Sequence, residues 1–155
     1  MELNFTEEDF ENKLLPVGEY VASYQSADVQ QLGNGFVKTI FKFKVDSGDY
    51  TGDLAVVELI SSPTNQRLTA IAKSIQIRIF TALLGKENFE LWKTWGDTDF
   101  VKNRKLKMTA DIVADKYSPF NSERNVFKGF KCILSDDEKN QIQQELIKKL
   151  GDKDE

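Results

Sequence analysis

Histidine is absent from this 155-residue sequence. That removes Ser-His and Cys-His nucleophile pairs, the imidazole general base and every His-ligated metal. The single cysteine, Cys132, excludes an internal disulfide and any multi-cysteine zinc site. No apolar run exceeds a few residues, so no segment is expected to span a bilayer and no membrane partner is expected. The first residues carry Glu2, Glu7, Glu8 and Asp9, the opposite of a basic secretory leader. These absences point to a soluble protein of a reducing compartment, cytoplasmic in location.

What is present suits one domain. Hydrophobic residues make up 40% and charged residues 30%, enough for one core under a solvated surface. The formal net charge of −4 hides an asymmetry. Residues 1–20 carry six acids and one base, and residues 135–155 carry seven acids and four bases. Residues 100–134 reverse the sign, with eight bases and three acids. A basic stretch inside an acidic protein can form a local anion-binding surface, although lysines also simply keep exposed strands soluble.

Periodicity divides the chain into elements. Residues 1–15 read as an acidic arm, with Phe5, Phe10 and Leu14 at helix-like spacing, and Pro16 ends it. Strands are expected over 17–29, 36–46 and 53–60. In the second, Val37, Thr39, Phe41, Phe43 and Val45 share one face, and Phe36, Lys38, Ile40, Lys42 and Lys44 the other. The third is apolar on both faces, which suggests a central strand. From Thr64 to Leu84 the period becomes helical, with a stripe of Leu68, Ile71, Ala72, Ile75, Ile79, Ala82 and Leu83, and Gly85 is a natural stop. A short helix is expected over 87–95, its Trp92 and Trp95 packing onto the rest. Strands return over 104–114 and 124–133, around the loop 115–123. Ser135 and Glu138 form a capping box for a helix from 136 to 150, with Ile142, Leu146, Ile147 and Leu150 on one side. The division is an arm over 1–15, a domain over 16–134, and a C-terminal helix with an acidic tail over 135–155.

Three strands, a helix and two more strands (β-β-β-α-β-β) is the order of the OB-fold, a five-stranded, partly open barrel. The expected class is therefore mainly β with helices, an OB-fold barrel plus a C-terminal helix. Such barrels bind oligonucleotides on the face of strands two and three, flanked by the loops joining strands one to two and four to five. In this chain those places hold Phe36, Lys38, Lys42 and Lys44 on strand two, and Lys116, Tyr117, Phe120 and Arg124 in and after the four-five loop. Lys105 and Lys107 point outward from strand four. Rings beside lysines suit an unpaired strand, because bases stack on rings while ammonium groups follow phosphates. Tyr20, Tyr24, Phe41 and Phe43 are expected in the barrel wall or core. On strand five, either Phe127 or Phe130 must face outward if the strand is regular, since their separation is odd. Cys132 is expected to be buried and inert.

Leu15-Pro16-Val17-Gly18-Glu19-Tyr20, Tyr50-Thr51-Gly52 and Asn125-Val126-Phe127-Lys128-Gly129-Phe130 are similar to recurring signatures of a phage protein family. That family was long catalogued as a domain of unknown function, and its members are encoded beside recombinase-like annealing proteins. The resemblance implies an OB-type, single-stranded-DNA-binding protein with a phage recombinase or annealing protein as partner. It also adds Phe127, Lys128 and Phe130 to the candidate nucleic-acid-binding residues. One feature departs from bacterial single-strand-binding proteins: the chain ends in Asp152-Lys153-Asp154-Glu155 without a terminal aromatic.

No enzyme is expected, and no cofactor or catalytic residue is assigned. Asp46, Asp49, Asp53 and Glu58 gather near a glycine turn, but their spacing fits a solvated turn better than a two-metal site, so no metal is assigned. The phosphate-cradling Gly-x-x-x-x-Gly-Lys is missing. The alternative to DNA binding is a protein-interaction module of the same replication or recombination complex. Self-association is left open.

Overall fold

The structure is a computed structural model that describes residues 14–114 and 123–153. The arm over 1–13 and the loop 115–122 lie outside the described residues, and with them the candidate residues Lys116, Tyr117 and Phe120.

Five antiparallel strands form one sheet: β1 (Gly18–Gln31), β2 (Val37–Val45), β3 (Leu54–Ser61), β4 (Lys105–Ala114) and β5 (Glu123–Lys131). Their order is β3-β2-β1-β4-β5, so the long first strand pairs with β2 on one side and β4 on the other. Helices α1 (Gln66–Leu84) and α2 (Lys86–Trp92) connect β3 to β4, and α3 (Asp136–Lys153) follows β5. Helix and strand contents are about equal. The edge strands β3 and β5 approach each other without a ladder among the described residues. This is an OB-like barrel left partly open.

The core follows from strand alternation. Tyr20, Ala22 and Tyr24 of β1, Phe41, Phe43 and Val45 of β2, and Leu106, Met108 and Ala110 of β4 are all buried on the inner face. α1 closes one side of that core with Ile79, Phe80, Leu83 and Leu84. Its start is fixed by Asn65, whose Oδ1 accepts the Leu68 N–H at 3.0 Å. Gly85 ends it at φ 89°, a left-handed value that disfavours other residues. The ring of Phe80 lies 4.7 Å from that of Trp92, which fastens α2 to the core, and Trp92 Nε1–H donates to the Asp97 carbonyl at 3.0 Å. α3 belongs to the same core through Ile142 and Leu146. Its capping box is formed: Ser135 N–H donates to Glu138 Oε1 at 3.0 Å, and Glu138 N–H to Ser135 Oγ at 3.1 Å.

Four expectations are corrected. β3 is an edge strand rather than a central one. Its inner residues Ala55, Val57 and Leu59 are buried, but Leu54 is 62% exposed. The outer aliphatics stand opposite lysines (Leu54 to Lys44, Val56 to Lys42, Ile60 to Lys38), whose methylene stems tolerate an apolar neighbour. Ile71 and Ile147 are exposed, because each helix buries a narrower stripe than its apolar pattern suggests. The second helix ends at Trp92 rather than 95. Cys132 is exposed, since β5 ends at Lys131 and leaves it beyond the ladder. No single helix among the described residues is long and apolar enough to cross a membrane.

Candidate nucleic-acid interface

Sheet register brings together lysines that are distant in sequence. Ser23 of β1 is the partner of Lys44 on one side and of Lys105 on the other. Neighbouring strands lie about 4.8 Å apart, so these two lysines sit about 10 Å apart across one row. One outward position along, Val21 faces Lys107, and Lys107 faces Lys131. One further, Glu19 faces Thr109, and Thr109 faces Lys128. Lys38 and Lys42 continue the row along β2 in the other direction. The result is an oblique track on the outer face: Lys38, Lys42, Lys44, Lys105, Lys107, Lys131 and Lys128. Ser23 lies flat beneath it, covered by Gln25, whose Nε2 donates to Ser23 Oγ at 3.0 Å. Gln25 occupies the register shift between Tyr24 and Ser26.

The track is threaded with carboxylates. Lys38 meets Glu58 at 3.2 Å, Lys42 meets Asp28 at 3.9 Å, and Lys105 pairs with Asp46. Glu19 holds both Lys107, at 2.9 Å, and Lys131, at 3.3 Å. Lys128 meets Asp111 at 3.2 Å. Hydrogen bonds from Lys107 and then Lys131 hold the Glu19 carboxyl below its ordinary pKa. Asp111 is lowered first by the Ile112 backbone N–H and then by Lys128. Exposed pairs of this kind are weak and exchangeable. Lys44 and Arg124 have no carboxylate partner among the described residues. An incoming anion therefore meets two uncompensated cations and a row of lysines that must first exchange their partners.

Rings are scarcer on this face than lysines. Phe36 precedes β2 at an outward position and is half-buried. Phe127 and Phe130 are not on the lysine face, because β5 is not regular. Gly129 takes φ 62° within a register shift between Lys107 and Thr109, so β5 carries one residue more than β4 there. That extra residue changes the parity. Phe127 is buried in the core, and Phe130 packs against it, sharing a cavity wall with Ile77 and Phe89. Lys128 alone of the Phe127-Lys128-Gly129-Phe130 stretch joins the track. Arg124 stands at the mouth of the opening between β3 and β5, a cavity of 430 Å3 lined by Leu54, Val56, Ile75 and Phe127.

Sequence reasoning missed Lys131 as a member of the track. Regular alternation puts Lys131, three residues on, on the face opposite Lys128; the bulge at Gly129 reverses this, and the register opposite Lys107 places Lys131 on the track. The acidic turn residues also find work, because Asp46 pairs with Lys105 and Glu58 with Lys38. No group of three or more carboxylate or thiol ligands is positioned for a metal among the described residues. No protein-family model matches the chain, and no curated protein is found similar to it.

Proposed function

We propose that this protein binds single-stranded DNA without sequence preference, along the outer face of β2, β1, β4 and β5, in the service of phage replication or recombination. The observation that carries the reading is the single track of lysines across four strands of an OB-like barrel. Phosphates exchange for Glu19, Asp28, Asp46, Glu58 and Asp111, while Lys44 and Arg124 engage directly. Bases rest against Phe36, with Tyr117 and Phe120 of the four-five loop as the further stacking residues drawn from sequence. Nothing in this arrangement reads a base edge, so binding depends on the backbone and on stacking. The motif resemblance supplies the phage setting and the recombinase or annealing partner.

Fluorescence anisotropy of a labelled oligo-dT strand, titrated over a range of salt, tests this. Neutralising about four phosphates gives a log-log slope of about −3, and the carboxylates already on the track make it shallower. A slope of zero, or no binding in low salt, rejects the track.

A second reading rests on a different feature. β3 and β5 are the sheet's two edges, and they flank an opening lined by both aliphatic and polar side chains. Unpaired strand edges accept an extended peptide by strand addition. A protein-interaction module would capture its partner there and leave the oligonucleotide unbound.

A further inference from the structure

We infer that a second nucleotide-binding shelf, built on Trp95, continues the track beyond Lys105 on the other side of the barrel's end. This rests on the single-strand-binding reading and extends it.

The shelf is formed where the turn Thr98–Val101 meets α3. Trp95 and Phe100 lie 5.6 Å apart at an interplanar angle of 59°. The Arg104 guanidinium stands 4.5 Å over the Phe100 ring, its Nε–H donating to the Phe100 carbonyl at 2.9 Å and its terminal nitrogen to Glu145 at 3.0 Å. These contacts spend one face of Phe100 and hold the loop rigid. Trp95 is half-buried, packed against the core as expected, and its indole N–H has no hydrogen-bond partner among the described residues. Together these groups line a depression of 520 Å3 whose far wall is Lys148 and Lys149.

The chemistry favours a base with its phosphate. Trp95 offers a flat, electron-rich surface and a free donor. Lys148 and Lys149, unlike most lysines of the sheet, have no carboxylate partner among the described residues. Three acids share the rim with Arg104, Lys148 and Lys149: Glu145 is held by Arg104, Asp97 Oδ1 accepts the Asp99 N–H at 3.0 Å, and the Asp99 carboxylate lines the same depression. A cationic ligand would stand beside the guanidinium already fixed over Phe100. Continuity comes from Arg104 and Lys105, adjacent in the chain: Lys105 is in the track, and both line the neighbouring depression with Gln141 and Glu145. A strand passing Lys105 therefore reaches the shelf by way of Arg104, across a depression that also carries Glu138 and Glu145.

Tryptophan emission reads this directly, because Trp92 is buried in the core and Trp95 is the more exposed of the two indoles. Oligo-dT is titrated into the full chain while anisotropy of the labelled strand and tryptophan emission are followed together. Expected are quenching in step with binding, loss of that quenching in Trp95→Phe, and about 5- to 150-fold weaker binding in Trp95→Ala, the range for losing one stacked base. Lys148→Gln with Lys149→Gln should flatten the salt dependence. Should Trp95→Ala fail to fold, the quenching comparison between wild type and Trp95→Phe still decides. Binding seen by anisotropy with unchanged emission overturns the shelf and leaves the sheet track standing. Absence of binding in either signal overturns both.

Discussion

At Gly129 the backbone takes φ 62°, and an added Cβ would meet Thr109 Oγ1 at 3.3 Å. Gly129→Ala should therefore cost about 1–2 kcal/mol from the left-handed conformation, read as a lower urea midpoint. The loss would come from β5, where the bulge turns Phe127 and Phe130 to the same side. Tyr24 makes a different point. Its hydroxyl is buried without a partner at hydrogen-bonding geometry among the described residues. Burial pushes its pKa up to about 12, with Thr98 tempering the shift. Because the folded state favours the protonated phenol, this group's contribution is intact below its ordinary pKa of 10.0 and is lost as pH rises above it. Tyr24→Phe should be at least as stable as wild type at neutral pH and should lose less stability between pH 7 and about pH 11, measured by urea unfolding. Tyr24 was expected in the barrel wall because tyrosines are usually largely buried, while the facing of its strand was settled only by the fold. The bulge was not legible in the sequence, because Gly129 in a strand pattern is compatible with a regular ladder until the partner strand is known.

At the scale of elements, the local signals held. Ser135 and Glu138 bond reciprocally as their spacing predicts, since a capping box needs only residues three apart. Ser135→Ala should lower stability by about 1 kcal/mol in urea unfolding. The Glu138 carboxyl is held below its ordinary value by the Ser135 backbone N–H and then by the Ser135 hydroxyl. Its contribution is present above the unfolded value of 4.5 and is lost as pH falls through the folded one. Glu138→Gln should therefore narrow the stability difference between pH 6 and about pH 3. β3 shows where local signals stop. Apolar residues on both faces pointed to a central strand, yet its outer aliphatics are accommodated beside the lysines of β2. Position within a sheet depends on which strands pair, and no window of one strand contains that.

For the whole molecule, charge along the chain and charge in space differ. The excess of bases over residues 100–134 looks like a bare cationic stretch in sequence. The fold returns acids to it from elsewhere: Glu19 from β1 to Lys107 and Lys131, and Asp46 from the end of β2 to Lys105. This ranks the lysines. Lys44, without a carboxylate partner among the described residues, should matter more to a phosphate chain than Lys42, which must leave Asp28. Lys44→Gln should accordingly weaken oligo-dT binding more than Lys42→Gln in parallel anisotropy titrations at one salt concentration, and equal losses would contradict the exchange picture. The candidate lysines of β2 and β4 were legible as outward residues of two strands. That they form one track was not, because Ser23, between Lys44 and Lys105, gives no hint of it in sequence.

The sequence by itself determined the element order, the inward and outward faces of β2 and β4, the stop of α1 at Gly85, the capping box of α3, and the absence of histidine chemistry. All of these follow from neighbours within a few residues or from composition. Only the tertiary structure decided that β3 lies at an edge, that Phe127 and Phe130 both face the core, that most of the sheet lysines are paired with carboxylates, and that Trp95 shares a depression with Lys148 and Lys149 of α3. Each of these depends on strand register or on packing between elements far apart in the chain, where a single extra residue or a distant carboxylate reverses what the local pattern implies.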